Sequence, residues 1–121
     1  MTIYGDEPLK NENASDCFGV VAILIEERIN EWFEQNQDRG MSEPGVVGFV
    51  VALRLLVQAE PMNCSVSLRA SLVEKWKQQY AEWIDKFGSK VRVKRGVDRD
   101  LMWQKALGEF DLILKALKEG S

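Results

Sequence analysis

At 121 residues and a formal charge of −3, the chain fits one domain that buries roughly two thirds of its unfolded surface, with no need of a metal or disulfide framework. It has no histidine, which removes the usual general base near neutral pH, every imidazole metal ligand and any Ser/His or Cys/His couple. The charge is uneven: residues 1–63 carry 4 basic and 11 acidic side chains, a balance of −7, and residues 64–121 carry 12 and 8, a balance of +4.

Met1 to Asn13 is polar and acidic, and Gly5 and Pro8 break any helical period. Positions 1–13 are therefore expected to form a flexible arm and positions 14–121 the helical bundle domain. The arm has neither the basic stretch nor the apolar run of a secretory signal or membrane anchor, which points to the cytoplasm, where thiols stay reduced. Cys17 and Cys64 stand in no CxxC or Cys/His pattern. They read as buried free thiols, with a bridge between them as the alternative.

Ser15 or Asp16 can cap a first helix running to about Gln37. On it Phe18, Val21, Ala22, Ile25, Ile29, Trp32 and Phe33 recur at steps of three and four, an amphipathic core stripe. Val20, Ile23 and Leu24 add more apolar surface than one stripe needs, while Glu26, Glu27, Glu31 and Glu34 face solvent. Arg39-Gly40 supplies a cation and a left-handed cap for its end.

Ser42-Glu43-Pro44 opens the second helix with a capping hydroxyl, an anion and a proline that lacks only an unused N–H. From Val46 to Val57 its only charge is Arg54. A helix apolar on nearly all sides is expected to be buried on nearly all sides, with the rest of the chain wrapped around it. It is too short for a bilayer core of about 30 Å, so no membrane span is expected. Val47, Val51 and Leu55 occupy what should be its wet side, which predicts a homodimer or larger assembly that buries them.

The third helix is capped by Ser65 or Ser67, or starts later at the Ser71-Leu-Val-Glu74 box. It carries Leu72, Val73, Trp76, Tyr80, Trp83, Ile84 and Phe87 on one side and stops at Gly88. The fourth begins near Asp98 and carries Met102, Trp103, Ala106, Leu107, Phe110, Ile113, Leu114 and Leu117. The expected fold is all-α: a four-helix bundle, up-down-up-down and antiparallel, because connections of about five, four and nine residues force antiparallel neighbours. All four tryptophans, Trp32, Trp76, Trp83 and Trp103, fall on apolar stripes and read as core residues.

The third connection differs from the other two. Lys90-Val91-Arg92-Val93-Lys94-Arg95 alternates with a period of two and resembles a short strand. Lys86, Lys90, Arg92, Lys94, Arg95 and Arg99 face Asp98 alone across positions 86–99, enough cations to contact phosphates or an acidic protein surface. Lys90, Arg92, Lys94, Arg95 and Arg99 are the candidate partner-binding residues. No aromatic residue interrupts them, so base stacking is not indicated.

Glu26-Glu27-Arg28-Ile29-Asn30-Glu31 resembles the EExxE magnesium motif of the all-helical nucleotide pyrophosphohydrolases, with one residue too many. The extra residue turns Glu31 by about 100° from the required side of the helix. The matching ExxD, Glu82-Trp83-Ile84-Asp85, lies too far downstream. The expected function is therefore a non-enzymatic interaction protein (an adaptor, inhibitor or assembly subunit) that needs no cofactor or metal, has no catalytic residue and binds a protein partner. A nucleic-acid-binding accessory protein comes second and a magnesium-dependent pyrophosphohydrolase-like enzyme third.

Overall fold

A computed structural model describes residues 12–36, 45–61 and 68–120. Four long helices fill them: α1 (Glu12–Asn36), α2 (Val46–Ala59), α3 (Ala70–Phe87) and α4 (Arg99–Gly120), with a single 3-10 turn at Gly88–Lys90. The fold is an all-α four-helix bundle. Among the described residues no helix is long and apolar enough to cross a membrane.

The helix ends follow local chemistry. No glycine or proline stands between Pro8 and Gly19, so α1 begins at Glu12 and runs through the expected caps Ser15 and Asp16. The arm at positions 1–11, the Arg39-Gly40 stop, the Ser42-Glu43-Pro44 cap, Cys64 and the caps Ser65 and Ser67 lie outside the described residues. Helix α3 starts at Ala70, beside the later of its two expected starts, with extended Arg69 before it. Asp98 does cap α4: its Oδ1 accepts the Leu101 N–H at 3.1 Å, as an N-cap side chain should.

The main packed pairs are α1 with α2, α2 with α4, and α3 with α4. Residue numbers rise together along α2 and α4. Val47 and Val51 share a groove with Met102 and Ala106, Arg54 pairs with Glu109, and Gln58 and Pro61 lie beside Leu112 and Ala116. These two helices therefore point the same way. Along α3 and α4 the numbers run oppositely, from Ala70 beside Leu117 through Lys77 with Asp111 to Trp83 against Trp103. A ring of antiparallel sequence neighbours would place α2 between α1 and α3, whereas here it lies between α1 and α4. Positions 60–69 separate α2 from α3, a wider interval than the roughly four residues expected.

The expectation that α2 is the wrapped central helix is corrected as well. Val46, Val50, Leu53 and Val57 are fully buried, but Phe49 and Leu55 are exposed. With neighbours on two flanks only, α2 keeps an outward side like any helix of a four-membered bundle. The largest fully buried side chains are instead aromatic residues of α3 and α4: Trp76, Tyr80, Trp83 and Phe110 are all essentially inaccessible. Each such side chain contributes about 1.5–3 kcal/mol by leaving water. Tyr80 stacks on Trp83 with planes 4° apart and meets Trp32 and Trp103 edge-on, the arrangements that ring quadrupoles favour. The Trp76 indole N–H donates to Asn30 Oδ1 at 2.8 Å, which ties α3 to α1.

Helix α1 also departs from its expected stripe. Ala22, Ile29 and Phe33 are buried, but Val21 is exposed together with Val20, Ile23 and Leu24. Cys17 shares that outward side and is a free, exposed thiol, not the expected buried or bridged one.

Candidate functional site: the basic loop

The segment joining α3 to α4 is built on a fixed backbone. Gly88 is buried against α4: a Cβ there would lie 2.9 Å from Ile84 Cγ2 and 3.0 Å from Trp103 Nε1. Only glycine fits that contact, since real Cβ atoms do not approach so closely. The chain then makes its 3-10 turn, and Val91 turns inward to 7% exposure. A second turn closes where the Val97 N–H donates to the Lys94 carbonyl at 3.2 Å, with Gly96 at φ +91°, a conformation that side chains with a Cβ resist.

Arg99 ties the first of these turns to α4. Its Nη1 donates to the carbonyl of Gly88 at 2.7 Å and to the carbonyl of Val91. Both acceptors follow the C-terminus of α3, where carbonyls lack helical partners and a cation is favoured. Arg99 is thus half-buried and engaged within the chain, whereas Lys90, Arg92, Lys94 and Arg95 are exposed. The Lys90 ammonium lies 5.8 Å from the centre of the Phe87 ring. Among the described residues none of these four cations pairs with a carboxylate.

The period-two alternation does place Val91 inside and its charged neighbours outside, but no strand forms among the described residues. A strand needs a partner for its backbone groups. Here a guanidinium supplies part of that partnership. Sequence reasoning counted Arg99 among the partner-binding cations and missed the internal clamp, because its acceptors lie 8 and 11 positions away, outside any helical or turn spacing. Two exposed aliphatic residues, Val97 and Leu101 at 46% and 45%, also border the cations. Sequence reasoning assigned them no role.

The remaining candidates are placed as follows. Leu55 is 54% exposed, while Val47 and Val51 are half-buried in the α2–α4 groove. On α1, Glu27, Glu31 and Glu34 are exposed, and Glu31 accepts a hydrogen bond from Arg28 at 3.1 Å. Among the described residues no three acidic or cysteine side chains converge as a metal site would require. No family model, curated protein or solved structure matches the chain.

Proposed function

We propose that the chain is a non-enzymatic helical interaction module of the cytoplasm that docks an acidic protein partner on the basic loop and pairs with a second copy through its outward apolar side. One observation carries the reading: Lys90, Arg92, Lys94 and Arg95 are exposed on a segment whose first turn Arg99 ties to α4, and among the described residues none of them pairs with a carboxylate. Cations on a prearranged loop lose little entropy on binding and speed the encounter with an anionic surface. Self-pairing draws support from Leu24 and Leu55, each 54% exposed, since large apolar side chains gathered on a surface mark contact sites.

The test is affinity capture from extracts of the native host, with the parent protein and a variant carrying alanine at Lys90, Arg92, Lys94 and Arg95. A protein retained by the parent and lost by the variant, at unchanged thermal stability, supports the reading. Equal retention by both returns the loop to a solvated turn. Loop-dependent binding to DNA or RNA, with a slope of log affinity on log salt near −0.9 per phosphate contact, replaces the protein partner by nucleic acid.

A further inference from the structure

The groove between α2 and α4 and the start of the basic loop both touch Trp103. Val47 and Val51 form one side, Met102, Trp103 and Ala106 the other, with Lys105 at the rim. Trp103 lines this groove and also meets Gly88 of the loop through its indole nitrogen, so both features rest on one buried side chain. Glu109, the groove's only acidic residue among the described residues, is held by Arg54 at 2.7 and 3.3 Å. Its charge is therefore already matched, and Lys105 joins the loop's unpaired cations in setting the local sign.

The cavity measures about 260 Å³, below the roughly 300–1,000 Å³ of a small-molecule pocket. One branched aliphatic or aromatic side chain is the fitting occupant. Val97 and Leu101, on either side of the start of α4, add exposed aliphatic surface. A nucleic acid backbone gains nothing from aliphatic side chains, and its bases find no exposed aromatic residue in the loop to stack on. An acidic peptide with an apolar anchor uses every part of this surface.

We infer that the partner engaged by the basic loop is an acidic protein segment carrying an apolar anchor residue, which enters the α2–α4 groove while its carboxylates meet Lys90, Arg92, Lys94 and Arg95. This rests on the function proposed above and names the chemistry of its partner. It also gives Val47 and Val51 a role other than self-pairing. The anchor supplies selectivity, and the charges supply rate and register.

Fluorescence anisotropy with three labelled probes tests it: a glutamate-rich peptide containing leucines, the same peptide with each leucine changed to alanine, and a single-stranded oligonucleotide of equal charge. The leucine peptide is expected to bind the full chain at least about tenfold more tightly than the alanine peptide, the gain of burying one aliphatic side chain. The quadruple alanine loop variant should lose both peptides. Val51→Glu should lose only the advantage of leucine; if its circular dichroism shows unfolding, the two peptides decide alone. Equal, loop-dependent binding of both peptides overturns the groove and leaves the loop's function standing. Tighter, loop-dependent binding of the oligonucleotide overturns the peptide partner. Loop-independent binding of all three probes overturns both readings.

Discussion

Arg99 Nη1 donates to the carbonyl of Gly88 at 2.7 Å, across an interval of 11 residues. The first turn of α4 thereby holds the last turn of α3 and sets the shape of everything between them. Arg99→Ala removes this bond and the one to Val91 and leaves two carbonyls short of a partner. Hydrogen bonds from a charged donor contribute about 1.5–3 kcal/mol, so a stability loss of that order is expected in denaturant unfolding. Amide hydrogens of residues 89–97 should exchange faster. Arg99→Lys is expected to recover only part of the loss: one ammonium can donate to two carbonyls, as Nη1 does, but its stem is one bond shorter. Parent-like exchange in Arg99→Ala would remove the clamp.

Asn30 and Trp76 form the polar link between α1 and α3. The Trp76 side chain is almost wholly buried, so Asn30→Ala strands its indole N–H at a cost of about 1–3 kcal/mol. Asn30→Gln keeps an acceptor on a longer stem and should lose less. Chemical denaturation of the two variants beside the parent decides between a working hydrogen bond and a mere contact.

The aromatic stripe of α3 and the start of α4 near Asp98 were legible because both are local: periodicity shows which side of a helix is apolar, and acidic residues favour a helix's positive end. The neighbours of α2 were not. An apolar run from Val46 to Val57 states how much surface seeks cover, but not that α1 and α4 would cover two flanks and leave Leu55 bare. The excess Val20, Ile23 and Leu24 on α1 carried the same ambiguity, and the structure leaves them exposed. In the loop, the alternation set the valines apart from the cations, but that Val91 would be buried in the bundle and that Arg99 would clamp the turn depend on how α3 and α4 come together.

Tyr80 carries a buried hydroxyl with no partner among the described residues, and burial pushes its phenol well above the usual range. The folded state therefore keeps the proton at pH values where the unfolded chain releases it, from about 10 upward. Above that point the unfolded state binds fewer protons, so stability falls as pH rises, by up to about 1.4 kcal/mol per pH unit. The stability attached to this group is fully present below pH 10 or so. Tyr80→Phe removes the unpartnered hydroxyl and should leave neutral-pH stability unchanged or slightly raised. Its alkaline decline should be shallower than the parent's. Parallel alkaline curves for the two proteins would place the phenol in contact with water.

Self-pairing makes the last prediction. The outward side of α1 exposes Val20 and Leu24, and that of α2 exposes Leu55, yet none of these residues fills a gap in the core. Replacing one of them by glutamate therefore leaves the folded monomer's packing intact, and surface changes of this kind usually alter stability by less than about 0.5 kcal/mol. In an apolar contact between two copies, the same glutamate loses its hydration without a counter-charge, a far larger penalty. Leu24→Glu and Leu55→Glu should each shift the protein toward monomer in light scattering across a concentration series, with unchanged helix content. If α1 forms the seam and α2 does not, only Leu24→Glu will act. A parent protein that is monomeric at every concentration rules out strong self-association and leaves both sides for another partner.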